Sequence, residues 1–407
     1  MEQERLFEAA LELAGTGWRV TGSSFSGEPK VLEIGLEQER DRKVVCPECG
    51  QSCGAYDTVE KRWRHLNFFQ YHCELVAKVP RSECEKCGVK MVEVPWARSG
   101  SGFTLLFEAA VMLLAKQMPV SAIAEAVGEQ DTRLWRLIRE LVQAAHARRD
   151  WSHVRSIALD ETSIRKGKRY MTVFLDADTR TVLLVVEGRS GDCVRQFAEA
   201  LQEHQGDPAQ IQWVTMDMLH CYARGVADYL PQAKIVYDRY HVMVMAGEAV
   251  EEVRRSLQRQ GAPLKGSLWA LRGNEWNLTA DQQTIRQTLA QTYKPIGKAL
   301  ALRDALQDIY QAGAAQGPEL LEQWCQWASR SRLAPFLKLA ETIRSYWKGI
   351  TAFFTSYLTQ GAIEAINGII QLARRRARGF RNFDYLRTIT YCVKGGLDFK
   401  LPSLLPT

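Results

Sequence analysis

The chain has 407 residues, 46% of them hydrophobic and 25% charged, too long for one ordinary core, so two to four domains are predicted. No apolar run reaches the roughly eighteen residues of a membrane span, and the acidic start MEQERLFEAALELAG lacks the basic head and apolar middle of a secretory signal, so a cytoplasmic protein is expected. Net charge is a mild +6, but residues Gly361 to Lys400 hold eight Lys/Arg against three Asp/Glu, nearly the whole excess, which suggests a polyanionic partner or else a solvated charged face.

In chain order, residues 1 to about 43 read as a short helix, Leu6 to Leu13, and an extended lead-in. Ten cysteines follow unevenly, six of them between Cys46 and Cys87. CPECG at Cys46–Gly50 and CEKCG at Cys84–Gly88 are two C-x-x-C-G knuckles. Each offers two thiolates from one tight turn, and the glycine frees the turn geometry. Cys46, Cys49, Cys84 and Cys87 together predict a closed, structural zinc site; a redox disulfide is the alternative. The 34 residues between the pairs read as strands and loop. Cys53, Cys73, His65 and His72 are spare candidates, read as buried or surface residues.

Phe103 to Arg148 is helical by pattern. LLFEAAVMLLA is a first helix, SAIAEAVG a second capped by Ser121 and ended by Gly128, and TRLWRLIRELVQAA a third capped by Asp131. This is a helix-turn-helix layout. Arg133, Arg136 and Arg139 share one face of the third helix, and Leu134, Leu137, Ile138 and Leu141 the opposite one. The basic face suits DNA, and also an ordinary surface helix.

After Trp151 the texture changes. SIALDETSI is a strand expected to end near Asp160. Two more strands, Tyr170–Leu175 and Val182–Val186, flank a turn at Asp176–Arg180. Val194 to His204 is a helix, IQWVTMDM a strand ending at Asp217, Leu219 to Leu230 a helix, and AKIVYDRYH a strand ending at Asp238. That order opens a ribonuclease H-like fold, a mixed sheet with helices on its faces. Val242 to Thr359 is almost wholly helical and holds five of the eleven tryptophans. It reads as an insertion, with Trp269 and Trp276 expected in its core. The boundaries are therefore 1–98 for the lead-in and zinc module, 99–150 for the helix-turn-helix, 151–241 for the first part of the core, 242–359 for the all-α insertion, and 360–407 for the closing part of the core.

Three acids stand out by position. Asp160 and Asp217 end strands that should be neighbours, where side chains converge on ligands. Glu364 begins the helix that should return to the sheet. Three converging carboxylates repel one another unless cations neutralise them, and oxygen-only ligands suit Mg²⁺ or Mn²⁺. Two such ions would serve an in-line phosphoryl displacement. Asp238 is the main rival; with His241, and with Asn367 beside Glu364, it is placed as a supporting residue.

LDET at Asp160, MDM at Asp217, YDRYHV, GAIEAINGIIQLARRRARGFRNF, WRHL, LKGSLWALRG and the paired knuckles occur in this order along the whole chain. The set resembles the ISL3 family of bacterial insertion-sequence transposases. The resemblance implies a DDE transposase with Asp160, Asp217 and Glu364 as metal ligands, binding the inverted repeats of its own element, then cutting and joining DNA. It further implies two DNA ends brought together, hence a homodimer on DNA. Ala365 and Ala373 depart from the family pattern, and neither change removes a carboxylate. Trp269 or Trp276 stacking on an unpaired base is the alternative to core packing. Other readings are a zinc and helix-turn-helix DNA-binding protein without chemistry, and a metal-dependent nuclease that never joins.

On the helix from Gly361, Glu364 should share a polar stripe with Asn367, Gln371, Arg374 or Arg375, and Arg378, against an apolar stripe of Ile363, Ile366, Ile370, Ala373 and Ala377. Gly379 should stop it. Arg374, Arg375, Arg376, Arg378 and Arg381 are the expected rail for DNA phosphates.

Overall fold

The computed structural model describes residues 2–39, 44–165, 169–311, 313 and 315–404. The chain divides into two compact units, Met1–Arg148 with Ile370–Thr407, and Arg149–Ile369.

The first unit opens with α1 (Glu2–Ala10), β1 (Trp18–Ser26), β2 (Val31–Gln38), β3 (Val44–Val45), β4 (Ser52–Arg64), β5 (His72–Cys84) and β6 (Gly88–Met91). The first helix starts and ends earlier than Leu6–Leu13, because Glu12 takes a left-handed φ of 53° and breaks it. The lead-in is more than extended chain: β1 and β2 form an antiparallel hairpin, and β2 pairs in parallel with β5. Residues 40–43, the end of that lead-in, lie outside the described residues. The sheet order is β1-β2-β5-β4-β3, with β6 on β5. Alternation along β2 and β5 turns Leu32, Ile34, Leu36, Cys73, Leu75, Ala77 and Val79 into one core. Trp96 joins it edge-on to Trp18 and Trp63, at 4.9 and 5.5 Å.

Next come α2 (Leu105–Ala115), α3 (Val120–Val127) and α4 (Asp131–Ala147). Thr104 caps α2 through the N–H of Phe107. Gly128 ends α3 at φ 70°, where only glycine is unstrained. Two cap assignments shift. Pro119 rather than Ser121 precedes α3, its fixed φ leading the chain in, and Gln130 rather than Asp131 precedes α4. Asp131 occupies the first turn instead, where its charge suits the positive end of the helix. Leu134, Leu137, Ile138 and Leu141 are buried, and Arg133, Arg136 and Arg139 are exposed, as the periodicity required.

The second unit holds β7 (Ser156–Arg165), β8 (Arg169–Asp176), β9 (Thr181–Glu187), α5 (Gly191–Glu203), β10 (Trp213–Met216), α6 (His220–Tyr229) and β11 (Lys234–Tyr237). The sheet order is β11-β10-β7-β8-β9. β7, β10 and β11 run parallel; β8 and β9 form antiparallel hairpins on the far side. α5 and α6 approach closely through glycine: a Cβ on Gly225 would lie 2.8 Å from the Gly191 carbonyl oxygen.

After β11 the chain is helical: α7 (Arg239–Arg259), α8 (Leu268–Arg272), α9 (Ala280–Thr292), α10 (Lys294–Ile309), α11 (Gly317–Ser329), α12 (Ala334–Ser345), α13 (Trp347–Thr351) and α14 (Phe353–Ser356). Trp269 and Trp276 do not pack in its core. They are 67% and 65% exposed. The short α8 buries Ala270 and Leu271 instead, and Trp276 stands on a single 3₁₀ turn, Glu275–Asn277, that buries nothing. Last come α15 (Gly361–Arg376), whose final residues belong to the first unit, and α16 (Phe383–Lys394). α16 packs on α4, where Tyr385 stacks on Trp135 at 4.0 Å.

Candidate active site and metal centre

The knuckles sit at the tips of paired strands. β3 and β4 pair around the turn that carries Cys46 and Cys49, and β5 and β6 around the turn that carries Cys84 and Cys87. Gly50 and Gly88 hold left-handed φ of 69° and 75°, which is what those turns need glycine for. The four sulfurs all lie within 4.8 Å of one another. Cys49 and Cys84 sulfurs are 3.6 Å apart, far from the roughly 2.05 Å of a disulfide. Zinc–sulfur bonds of about 2.3 Å in a tetrahedron put sulfurs about 3.8 Å apart, so the quartet fits structural zinc. A backbone N–H from Cys49 lowers the Cys46 thiol to about 7, while the Cys49 side chain and the neighbouring sulfurs push Cys87 up to about 12. The spare candidates lie elsewhere. Cys73 is core, His65 Nδ1 lies 2.8 Å from Thr104 Oγ1, and His72 faces Glu74.

Asp160, Asp217 and Asp238 of the second unit lie on or just past the parallel strands β7, β10 and β11. β7 does not end at Asp160. It runs on to Arg165, because its antiparallel ladder with β8 continues. Its parallel ladder with β10 stops at Ala158, opposite Thr215, and β10 itself ends one residue before Asp217. Carrying the register two residues on places Asp217 level with Asp160; by the β10–β11 register Asp238 is level with Asp217. Asp160 within β7 and the two aspartates just past β10 and β11 thus form one row.

His241 joins two of them. Its Nε2 is 3.0 Å from Asp217 Oδ2, and its Nδ1 is 3.8 Å from Asp238 Oδ2. The second distance is an ion pair rather than a hydrogen bond, so Asp217 is the main partner. These contacts raise the imidazole to about 10, leaving it charged at neutral pH. The sequence pairs His241 with Asp238 and gives no sign of the closer bridge to Asp217. Asp238 is almost fully buried, caps α7 through the N–H of Tyr240, and accepts the N–H of Gln360 at 3.3 Å. Gln360, which nothing in its sequence context marks, also donates its side chain to the Leu159 carbonyl.

Asp160 accepts 2.7 Å from Asn367 Nδ2 and 2.8 Å from the N–H of Glu161. Burial, then the charge of Asp217, push its carboxyl up to about 6. Glu364, in the first turn of α15, is raised by burial and by the charges of Asp238 and Asp217. Asp217 therefore acts on both ends of the cluster. Its Oδ1 is buried with no hydrogen-bond partner among the described residues. An orphaned carboxylate oxygen on Asp217, beside the raised carboxyls of Asp160 and Glu364, fits a hard divalent cation. The carboxylate oxygens of Asp160, Asp217 and Glu364 are not, however, all within 4.8 Å; among the described residues only the cysteine quartet meets that spacing.

The basic residues divide by engagement. Arg133 is held by Glu129 at 2.7 Å and lies over the Phe103 ring, whereas Arg136 and Arg139 are simply exposed. Arg374 donates to Gln371 and Arg376 to the Gln117 carbonyl; Arg375, Arg378 and Arg381 are exposed.

Residues 157–390 match a family model described as transposase. Residues 92–142 match the helix-turn-helix domain of transposase family ISL3, and residues 42–87 the zinc finger of transposases IS204, IS1001, IS1096 and IS1165. The transposase for insertion sequence element IS1001 of Bordetella parapertussis is 31% identical over 84% of this chain and 86% of its own. The transposase for IS1557 of Mycobacterium tuberculosis (strain CDC 1551 / Oshkosh) is 28% identical over 90% of each.

Proposed function

Because the chain belongs to the ISL3 family of transposases, we propose that it binds the terminal inverted repeats of its own element and cuts and joins DNA with divalent cations at Asp160, Asp217 and Glu364. The observation that carries this reading is the row of level aspartates, Asp160 within β7 and Asp217 and Asp238 just past β10 and β11, with Glu364 in the first turn of α15. The sheet order supports a ribonuclease H-like core, and the helices between β11 and α15 support an insertion within it.

The carboxylates of Asp160, Asp217 and Glu364 would hold Mg²⁺ or Mn²⁺, which supplies an activated oxygen nucleophile and stabilises the leaving oxygen. The chain's own groups do the rest. Asn367 fixes the Asp160 carboxylate, and Gln360 and the α7 cap fix Asp238. His241 balances the negative charge of Asp217 and Asp238. No covalent link to the protein is needed, so catalysis rests on positioning and charge neutralisation.

The test uses duplex DNA carrying the inverted repeats that flank the gene. Full-length protein with Mg²⁺ is expected to cut at the repeat end and join the released 3′-OH to a target duplex. Binding without cutting would overturn the reading, and cutting without joining would reduce the protein to a nuclease.

DNA contact is assigned to the exposed arginines. Arg136→Ala and Arg139→Ala, and likewise Arg375→Ala and Arg378→Ala, should each weaken binding to all sequences alike and lower the salt slope by about 1. Arg133→Ala should do less, since Glu129 already holds that guanidinium. Fluorescence anisotropy over a salt series checks this; an unchanged slope in all four variants removes these residues from the interface.

A further inference from the structure

The connection between α15 and α16, residues 377–382, lies in the first unit with α4. It belongs to a stretch, Ala365 to Phe383, that holds five arginines and no acid. Its path is fixed at both ends. Arg378 takes the left-handed φ of 53° that closes α15; its N–H donates to the Arg375 carbonyl at 3.0 Å, and that of Gly379 to the Arg374 carbonyl at 2.9 Å. Asn382 caps α16 through the N–H of Tyr385.

Between these caps Phe380 meets Trp135 edge-on at 6.3 Å. Trp135 also stacks on Tyr385 at 4.0 Å, and His146 meets Tyr391 at 4.3 Å, so α16 lies along α4. Trp135 is in the second turn of α4, so the connection is pinned near the N-terminal end of that helix. In a helix-turn-helix this is the end whose residues meet base edges in the major groove. A segment fixed on the flank of such a helix faces one of the sugar–phosphate strands that bound the groove. The minor groove opens on the far side of that strand.

The cations around this face divide by engagement. Arg133 is held by Glu129, Arg387 by Asp384, Arg374 by Gln371 and Arg376 by the Gln117 carbonyl. Arg375 and Arg378 are one turn apart on α15 and its cap, and extend the phosphate contacts proposed for that helix. Arg381 stands beyond the Phe380 anchor. It is exposed, and among the described residues its guanidinium has no hydrogen bond or ion pair.

A planar guanidinium on a short non-helical segment fits the minor groove, about 6 Å wide, where a helix does not fit. The pull on it is strongest in A·T-rich DNA, whose narrow minor groove carries an enhanced negative potential. A phosphate contact alone would not need the aromatic anchor on α4. Resting on the transposase reading, we propose that Arg381 enters the minor groove next to the major groove read by α4, at an A·T-rich step of the element end. Phe380 is the positioning residue that holds it there.

The test is binding of full-length, zinc-loaded protein to an element-end duplex without Mg²⁺, read by fluorescence anisotropy. Adenines are replaced by 2,6-diaminopurine in short successive windows. That base adds an amino group to the minor groove and leaves adenine's major-groove pattern unchanged. At least one window should weaken wild type about tenfold, and Arg381→Ala should bind substituted and unsubstituted duplexes alike. Phe380→Ala, which keeps the charge and releases the anchor, should lose most of the same discrimination. Arg375→Ala should weaken every duplex and keep the discrimination. Wild type indifferent to every window overturns the proposal, as does an Arg381→Ala variant that still discriminates. Should Phe380→Ala not fold, Arg381→Ala, a substitution at an exposed position, decides alone. The transposase reading itself falls on the element-end cleavage assay, so the two failures are told apart.

Discussion

Asp217→Ala should abolish cleavage of element-end DNA while leaving its binding intact. Asp217 lies between the other acids and raises both Asp160 and Glu364. Its orphaned oxygen is the clearest opening for a cation. Removing it would take away a proposed cation ligand and also the partner that keeps His241 charged. Loss of cation-based charge stabilisation is worth several kcal/mol, so roughly a thousandfold or greater fall in rate is expected. Asp160→Ala and Glu364→Ala should fall similarly. Asp238→Ala is a different case. Its carboxylate caps α7 and holds Gln360, so that variant should lose stability as well as rate. Gel assays of cleavage beside filter binding separate the two effects. Near wild-type cutting by any of the three alanine variants, with Mg²⁺ present, removes that residue from the site.

The second large effect concerns the zinc quartet. Cys46→Ser or Cys84→Ser should release the metal and unfold the knuckle end of the first unit. Structural zinc contributes on the order of 10–16 kcal/mol in small zinc modules, comparable to the whole stability of a domain. Even about 5 kcal/mol lost would lower the melting midpoint by roughly 10–20 °C in a unit of this size. Cys53→Ser, outside the quartet, should keep both zinc and midpoint. Elemental analysis and calorimetry check this. Protein purified without chelator and containing no zinc would contradict the assignment outright.

Much of this was readable from residues because local chemistry forced it. LLFEAAVMLLA could only be an apolar helix, and α2 spans those residues. The knuckle spacing needed tight glycine turns, and the φ angles of Gly50 and Gly88 supply them. The order of strands and helices around the acids followed from periodicity. What stayed hidden was set by pairing between distant segments. β7 runs past Asp160 because β8 comes back along it, which nothing in SIALDETSI reveals. The lead-in strand β2 is recruited by β5, some forty residues on. The bridge from His241 to Asp217 spans two elements, and Gln360 reaches Leu159 across two hundred residues. Trp269 and Trp276 misled because tryptophan is usually core, and only the short elements that carry them leave them outside.

The division of the chain into its two units also orders its birth on the ribosome. Glu364 and Gln360 belong to the second unit, and residues from Ile370 onward, including α16 beneath the Trp135 face of α4, belong to the first. Neither unit is therefore complete before about nine-tenths of the chain has been made. At about 5–20 residues per second, a nascent chain spends tens of seconds with its zinc knuckles already translated and its third acid not yet made. A chain truncated before Gly361 would carry both knuckles and all three level aspartates, and it would lack the acid on α15 and the helix whose Tyr385 stacks on Trp135 of α4.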